Sequence, residues 1–347
     1  DNNYADAYVG LAQAQLRSFI EYQKVEYIQA MEVTIQNLMK IDSGHRLLNY
    51  LYGELMLQQG QYQAAVMLFK KNIKLYPTFI KAYTSLFIAY QNLQQLEKAE
   101  KILLKAFGIM PNNNTVLSNL GLFFYTNGHY SKAIEYFTLL TQQAPNNYLA
   151  YLNISACYYL QGDFKTSIVA ANKAINIQPN ADAYANLGTT YFMLRDYTKA
   201  VAAYEKMIKL NKNNYVFWGN LADAYRFAKN EKYKQAFQQA IILVEQALQL
   251  NPKNKYAIAH LAYYHSNLDN IEQAHFYAKK IIEKDTGAEQ LLIAAAYMRL
   301  NMNVTAIKHL TFAIKNNYSI AEITQSPLFD SLKNEEKYQR LISNSLE

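Results

Sequence analysis

Residues 114–147, NTVLSNLGLFFYTNGHYSKAIEYFTLLTQQAPNN, decide the fold of this chain. Apolar residues recur at the i, i+3, i+4 and i+7 spacing of one helical face, first before Gly128 and again after it. Gly128 supplies a turn between the two patterns, and Pro145 ends the second one. Because each helix has a single apolar face, it needs a partner to bury that face. The stretch therefore predicts two helices that pack against each other.

The same unit recurs along the chain at a spacing close to 34 residues. Prolines mark the unit ends at Pro77, Pro111, Pro145 and Pro179. A small residue recurs in the first helix at Gly53, Gly121, Ser155, Gly188, Ala222 and Ala262. Another recurs in the second helix at Ala65, Ala99, Ala133, Ser167, Ala200, Ala274 and Ala306. Several independent positions thus keep one register, and a helix–turn–helix unit of this length and pattern resembles the tetratricopeptide repeat.

This register divides the chain into repeat units and a C-terminal segment. The predicted units are residues 1–45, 46–79, 80–113, 114–147, 148–180, 181–214, 215–254, 255–286 and 287–320, followed by the segment 321–347. The resemblance implies an all-α solenoid, a right-handed superhelix of about nine helix pairs with the first helices lining its inner surface. The segment 321–347 is expected to cap the last repeat with a helix, and contacts are expected to join almost only neighbouring units.

Composition excludes several other classes of protein. The 347 residues carry 34 Lys and Arg against 27 Asp and Glu, a mild excess for a nucleic-acid-binding protein. The lysines cluster toward the ends of second helices, where solvated ammonium groups complement the helix dipole. The single cysteine, Cys157, excludes an intrachain disulfide framework, and the six histidines show no metal-ligand spacing. No apolar run is long enough to span a membrane.

One polar position recurs in the first helices of consecutive units. It is occupied by Asn119, Asn153, Asn186 and Asn220. An amide offers both donors and an acceptor, so a row of asparagines could bind the backbone of an extended peptide, about one for every third peptide residue. The row resembles the asparagine ladder of the O-GlcNAc transferase repeats. The alternative is that these asparagines belong to the repeat consensus and hydrogen-bond only within the array.

Larger side chains follow this polar row on the first helices. They are Tyr125, Tyr159, Phe192 and Arg226, with Asp223 and Tyr263 expected nearby. An aromatic stripe in a groove would supply side-chain pockets beside a row that binds backbone. The alternative is that the curvature of the superhelix buries some of these rings. Together with the asparagines they are the predicted peptide-binding groove.

A closer resemblance spans nearly the whole chain and is strongest over residues 181–342. It rests on the stretches 186–192, 218–226, 240–252, 306–314 and 326–332. Together they resemble the C-terminal repeat regions of bacterial signalling proteins in which a Ser/Thr protein kinase, a class III adenylate cyclase or a CadC-like winged helix precedes the repeats. This chain has no Gly-rich phosphate loop, no kinase triplet and no paired metal-binding aspartates. The resemblance therefore implies a non-catalytic regulatory or docking arm.

The leading functional prediction is a protein-interaction scaffold that binds an extended segment of a partner in its groove. Self-association through the end repeats, around Leu291, Leu292, Met298 and the C-terminal segment, is compatible with it. RNA binding is a weaker alternative, because it requires basic residues along the first helices. We expect a protein partner, no nucleic acid, no cofactor and no metal. The lack of disulfides favours the cytoplasm, unless a segment outside this sequence attaches the protein to a membrane.

Overall fold

The computed structural model describes residues 2–316 and 318–345, with side chains from residue 4 onward, and these residues contain helices and no strands. Neighbouring helices pack in antiparallel pairs joined by short turns, so the predicted all-α architecture of helix pairs is confirmed. The chain forms two compact units, Asp1–Pro145 and Asn146–Glu347. No helix of the described residues has the length and apolarity that crossing a lipid bilayer requires.

Four helix pairs form the first unit. Their helices are α1 (Asn2–Tyr22), α2 (Val25–Ile41), α3 (Leu48–Gln58), α4 (Tyr62–Leu75), α5 (Ile80–Asn92), α6 (Leu96–Ile109), α7 (Asn114–Thr126) and α8 (Tyr130–Gln143). Within a pair the two apolar faces meet, and each pair also packs against the next one in this unit. The length of α1, 21 residues, accounts for the extra residues of the first repeat.

Five helix pairs and a C-terminal segment form the second unit. The pairs are α9 (Tyr148–Leu160) and α10 (Phe164–Ile177), α11 (Ala181–Met193) and α12 (Tyr197–Leu210), α13 (Tyr215–Phe227) and α14 (Lys232–Leu250), α15 (Lys255–Asn267) and α16 (Ile271–Ala278), and α17 (Gly287–Arg299) and α18 (Asn303–Lys315). The segment holds α19 (Ile320–Gln325), the 3₁₀ helix η1 (Pro327–Leu332) and α20 (Glu336–Asn344).

A left-handed backbone residue makes the turn inside each helix pair that the structure describes. These residues are Gln23, Gly60, Gln94, Gly128, Gly162, Arg195, Lys229, Asp269 and Asn301. Gly128 has φ 77° and adopts this conformation without a Cβ clash, whereas Arg195, with φ 62°, occupies a region that side chains disfavour. The turn falls at the same place in each repeat. The repeated turn accounts for the regular spacing of the helix pairs in the sequence.

Asparagine side chains begin most of the first helices. Asn113, Asn147, Asn180, Asn214 and Asn254 each accept a hydrogen bond from a backbone N–H in the first turn of the helix that follows. The N–H groups of a first helical turn have no partner within the helix, and a side-chain oxygen at this position satisfies them. These five asparagines, each the last residue of a predicted unit, therefore have a structural role that is separate from the predicted polar row.

Close approach of the two helices of a pair depends on a small residue facing a large ring. Phe137 of α8 is fully buried against Gly121 of α7. A Cβ added to Gly121 would lie 2.5 Å from an edge carbon of the Phe137 ring, closer than any van der Waals contact allows. The same arrangement joins Gly53 to Phe69 and Gly188 to Tyr204.

A Gly121→Ala variant is expected to lose about 1–3 kcal/mol of unfolding free energy, because the new methyl group must displace the Phe137 ring. The gain in helix propensity, about 1 kcal/mol, offsets only part of that loss. Urea denaturation followed by circular dichroism measures the difference. The matched control is Gly108→Ala in α6, where nothing lies within 4 Å of the added Cβ. This variant should show only the stabilising gain in helix propensity. Equal stabilities of the two variants would contradict the prediction.

Closely packed helices belong to the same or to neighbouring repeats, as expected, but the C-terminal segment of the second unit also makes distant side-chain contacts. This segment packs on α17 and α18, where a cap was expected, but it also reaches Arg195 at the α11–α12 turn, 135 residues from its partner Asp330. The physical reason lies in the apolar side chains of the segment. Ile323, Phe329 and Leu332 are fully buried, and a segment of one or two helical turns has no core of its own in which to bury them.

Candidate functional site

The C-terminal segment lies across the C-terminal ends of the first helices of the second unit. Glu322 of α19 contacts Tyr159 near the end of α9, and Gln325 lies beside Gly162 in the turn after it. Asp330 of η1 contacts Arg195 after the end of α11. We call the side of the second unit formed by α9, α11, α13, α15 and α17 the first-helix surface. One part of it is therefore covered by the chain itself.

An ion pair joins the segment to this surface. Nη2 of Arg195 donates to Oδ1 and Oδ2 of Asp330 at 2.7 and 2.9 Å, and Nε donates to Oδ2 at 3.2 Å. Nζ of Lys333 lies 2.7 Å from Oδ1 of the same carboxylate. Partial burial would raise the pKa of Asp330, but the hydrogen bonds and charges of Lys333 and Arg195 hold it below its ordinary value. Because the guanidinium of Arg195 donates to both carboxylate oxygens of Asp330, the pair fixes the orientation of η1 in addition to neutralising the charge of Asp330.

A second polar contact is more deeply placed. The hydroxyl of Tyr159 donates a hydrogen bond to the carboxylate of Glu322. Burial raises the pKa of Tyr159 well above its ordinary value and also raises the pKa of Glu322. A tyrosine predicted to bind a partner thus binds α19 of its own chain.

Three residues of the predicted groove contact one another. The hydroxyl of Tyr263 donates to Oδ1 of Asp223 at 2.6 Å, and Nη2 of Arg226 lies 3.3 Å from the same oxygen. The side chains of Arg226 and Asp223 are only 16% and 13% exposed. Burial raises the pKa of the Asp223 carboxyl, while Arg226 and the Tyr263 hydroxyl act in the opposite direction. The guanidinium also lies 4.8 Å from the ring centroid of Phe227.

A cavity of about 300 Å³ separates this cluster from the C-terminal segment. The helices contribute Arg226, Phe227 and Tyr263 to its wall, and η1 contributes Leu328 and Asp330. Its lining combines guanidinium, ring and apolar groups with one carboxylate. The segment therefore closes over the first-helix surface without filling it.

The remaining aromatic positions divide between burial and partial exposure. Phe192 is buried, with its ring centroid 5.2 Å from that of Phe227 and 5.5 Å from that of Tyr197. Burial of Phe192 agrees with the alternative that some aromatic side chains of the predicted groove are buried. In the first unit, Tyr125 is half-buried and lies 6.0 Å from the ring of Tyr130.

The asparagines of the predicted row are half-buried, and they differ in their partners. Nδ2 of Asn186 donates to the carbonyl oxygen of Leu152 in the preceding first helix at 3.3 Å, as the consensus alternative anticipates. The amides of Asn153 and Asn220, in the second unit, and of Asn119, in the first, have no hydrogen-bond partner among the described residues. Asn153 and Asn220 precede Tyr159 and Arg226 by six residues, about 9 Å along a helix.

Sequence reasoning missed Arg195, Glu322 and Asp330. Each belongs to a pair that joins distant parts of the chain, and such pairs leave no local pattern. The turn position of Arg195 gives no signal either, because several repeats carry a long or polar side chain there, Lys229 among them.

Other predicted features have the following places. Leu291, Leu292 and Met298 are half-buried against the core of the second unit. Cys157 is buried, and burial raises the pKa of its thiol to about 12. Over residues 2–316 and 318–345, no three His, Cys, Asp or Glu side chains come close enough together to hold a metal ion.

Comparison with known proteins agrees with the repeat architecture. Family models described as tetratricopeptide repeat match residues 36–119, 124–189 and 181–214. Tetratricopeptide repeat protein 6 of Homo sapiens is 25% identical over 206 residues, which are 58% of this chain and 38% of that protein. The chain thus spans little more than a third of that relative.

One solved structure shows the same fold over most of the chain. A tetratricopeptide repeat protein from Parabacteroides merdae aligns with a TM-score of 0.56 and 12% identity over 87% of this chain and 99% of its own. YrrB, described as a tetratricopeptide repeat protein with an unusual peptide-binding site, aligns with a TM-score of 0.44 and 17% identity over 51% of this chain and 92% of its own. The family models, the repeated helix pairs and the left-handed turns together establish that this chain belongs to the tetratricopeptide repeat family.

Proposed function

We propose that this chain is a non-catalytic protein-interaction module whose first-helix surface binds a polypeptide segment of a partner. One observation carries the proposal: the chain's own C-terminal segment already lies on that surface, held by the Arg195–Asp330 pair and by buried Phe329. A surface that accommodates one segment has the shape and polarity to accommodate another. Proteins of this family generally mediate protein–protein interaction.

Two chemical features support a binding track beside the covered part. The free amides of Asn153 and Asn220 can pair with the C=O and N–H groups of an extended backbone. The cavity next to Arg226 and Leu328 offers room for a side chain of the bound segment. A partner would thus be held by its backbone along one line and by a side chain at one end.

The closer resemblance, which is strongest over residues 181–342, supports a more specific form of this proposal. The module would be the regulatory or docking arm of a larger bacterial signalling protein, and it would work in the cytoplasm. Its partner segment would then come from an effector domain or from a protein that the effector controls.

A peptide selection tests the proposal. Random dodecapeptides displayed on phage are selected on the immobilised full chain, and the affinities of the selected peptides are measured by fluorescence anisotropy. An Asn153→Ala/Asn220→Ala variant is expected to bind peptides of the groove about tenfold more weakly or worse, because each lost amide hydrogen bond contributes about 0.5–1.5 kcal/mol.

The matched control removes two amides from a second helix. Asn172 and Asn176 are exposed on α10, and their replacement by alanine should change the affinities less than twofold. Circular dichroism confirms that both variants keep their helices. If every selected peptide binds the two variants equally well, the first-helix surface is not where the module binds its partners.

A further inference from the structure

A pocket on the second-helix side of the first unit has a composition that the proposed function does not use. It has a volume of about 520 Å³ and lies between α4 and α6, with α5 beneath it. Ile73, Leu86, Tyr90 and Ile102 form its apolar floor. Lysines form its rim: Lys70, Lys74, Lys98, Lys101 and Lys105. We call it the lysine pocket.

The pocket is open because two positions of its floor carry isoleucine instead of a larger aromatic side chain. In the next repeat of the same unit, 34 residues on, Phe107 replaces Ile73 and Tyr136 replaces Ile102. The Tyr136 ring there packs against Phe107 at 5.6 Å and stacks on Phe124 at 5.5 Å. Two aromatic rings thus fill this space in the later repeat. In the preceding repeat, two isoleucines leave it open.

The charge of the rim is not neutralised within the unit. All of the rim lysines are exposed, and the ion pairs within the described part of residues 1–145 are Lys24–Glu26 and His45–Asp6. Nζ of Lys70 and Nζ of Lys98 lie 5.7 and 6.0 Å from the ring centroid of Tyr90. Ammonium groups gathered around one ring repel each other, and a bound carboxylate would remove that repulsion.

The fold does not require all five of these lysines, as an equivalent pocket in the second unit shows. That pocket, between α12 and α14, also has a volume of about 520 Å³. It keeps only Lys209 and Lys232, at the positions of Lys74 and Lys98. There Glu205, Gln235 and Gln239 stand at the positions of Lys70, Lys101 and Lys105. The hydroxyl of Tyr225, equivalent to Tyr90, donates to the Glu205 carboxylate at 2.6 Å. In the second unit, the chain itself thus places a carboxylate at the rim of an equivalent pocket.

We propose that the lysine pocket docks an acidic segment of a partner protein, one that places an aromatic or aliphatic side chain between carboxylates. The apolar side chain would occupy the space that Tyr136 fills in the next repeat, and the carboxylates would meet the rim lysines. The convergence of the lysines on one apolar pocket favours a peptide over a nucleic acid, which requires a basic track along its backbone. This site is independent of the first-helix surface and does not rest on the function proposed for it.

The test uses the full chain and a fluorescein-labelled nonapeptide of aspartate and glutamate with one central phenylalanine. Fluorescence anisotropy in near-physiological salt is expected to show saturable binding. A Lys74→Gln/Lys101→Gln/Lys105→Gln variant should weaken binding at least tenfold. The matched control, Lys40→Gln/Lys71→Gln/Lys132→Gln, changes the net charge equally but leaves the pocket intact, and should weaken binding less than threefold.

Two further measurements separate pocket binding from simple charge attraction. Ile102→Tyr introduces the side chain of the next repeat and should weaken binding at least tenfold with no change of charge, while a peptide with serine in place of phenylalanine should bind at least fivefold more weakly. The proposal is overturned if millimolar peptide does not bind, or if both lysine variants lose affinity equally. It is also overturned if a single-stranded DNA of equal charge binds as tightly and competes with the peptide.

Discussion

An Asp223→Ala variant is expected to lose about 3–5 kcal/mol of unfolding free energy in the second unit. The carboxylate of Asp223 accepts hydrogen bonds from Tyr263 and Arg226, and the Arg226 side chain is only 16% exposed. Removing the carboxylate leaves the guanidinium largely buried without its counter-charge, and Nε of Arg226 already lacks a hydrogen-bond partner. Trp218, the single tryptophan of the chain, lies on the same helix, so its fluorescence in a urea titration reports this transition.

A double-mutant cycle provides the control. Arg226→Met alone should also destabilise the unit, but an Asp223→Ala/Arg226→Met double variant should be more stable than the sum of the single losses implies, because no unpaired charge remains. Tyr263→Phe removes only the hydroxyl and should cost about 1–3 kcal/mol by leaving an acceptor of Asp223 unsatisfied. If the stability losses of Asp223→Ala and Arg226→Met are strictly additive in the double variant, the two side chains are not a coupled buried ion pair.

The second unit is expected to lose about 2 kcal/mol of stability between pH 7 and pH 5 through His260 alone. Burial lowers the pKa of this imidazole from 6.5 to about 3. The folded pKa lies below the unfolded one, so the unfolded state binds more protons as the pH falls. Stability that is present above pH 6.5 is therefore lost, at about 1.4 kcal/mol per pH unit, until about pH 3.

The surroundings of His260 explain why protonation is unfavourable. Neither ring nitrogen has a hydrogen-bond partner, and the rings of Tyr256, Tyr264 and Tyr215 lie 4.6, 5.2 and 5.3 Å away. A charge placed there would lose its hydration with no carboxylate to replace it. His309, whose pKa burial lowers to about 4, adds to the same acid sensitivity.

A His260→Phe variant isolates the contribution of this residue. Phenylalanine keeps a planar ring and removes both nitrogens, so it cannot be protonated. Because the phenyl ring is larger than imidazole, the quantity to compare is the change of stability with pH and not the stability at pH 7. Urea titrations of Trp218 fluorescence at a series of pH values give the slope. The loss between pH 7 and pH 5 should shrink by about 2 kcal/mol relative to the parent. An unchanged slope would place the acid sensitivity elsewhere.

The fold could be predicted from the sequence because its determinants are local and repeated. Gly128 marks a turn within a single pair, and Gly121 faces Phe137 only 16 residues along the chain, so both leave a periodic trace. The helix N-caps are local as well, because the side chain of Asn113 accepts hydrogen bonds from the backbone N–H groups two and three residues later. Repetition made each of these signals readable several times.

The candidate site could be predicted only in part. The periodicity places Asn153, Asn186 and Asn220 at equivalent positions, but it does not reveal that Asn186 alone donates to a neighbouring carbonyl. Nor does it reveal that Tyr159 binds Glu322, because that contact depends on the path of the chain after the last repeat. The peptide-binding role of these residues stays a prediction.

The lysine pocket belongs to an intermediate case. The substitution of Ile102 by Tyr136 one repeat later is visible in the sequence, as is the run of lysines. That the exchange opens a cavity follows only from the ring contacts of Tyr136 with Phe107 and Phe124. Differences between repeats thus carry functional information once their packing is known.

The cover over the first-helix surface is the last part of the second unit to be made during protein synthesis. Asp330 follows Arg195 by 135 residues, so at about 5–20 residues per second it leaves the peptidyl transferase centre about 7–27 s later. Throughout that interval the growing chain carries α9 and α11 without Glu322 and Asp330, which contact Tyr159 and Arg195 in the finished protein. The newly made chain therefore presents Tyr159 and Arg195 without the partners that they have in the finished protein.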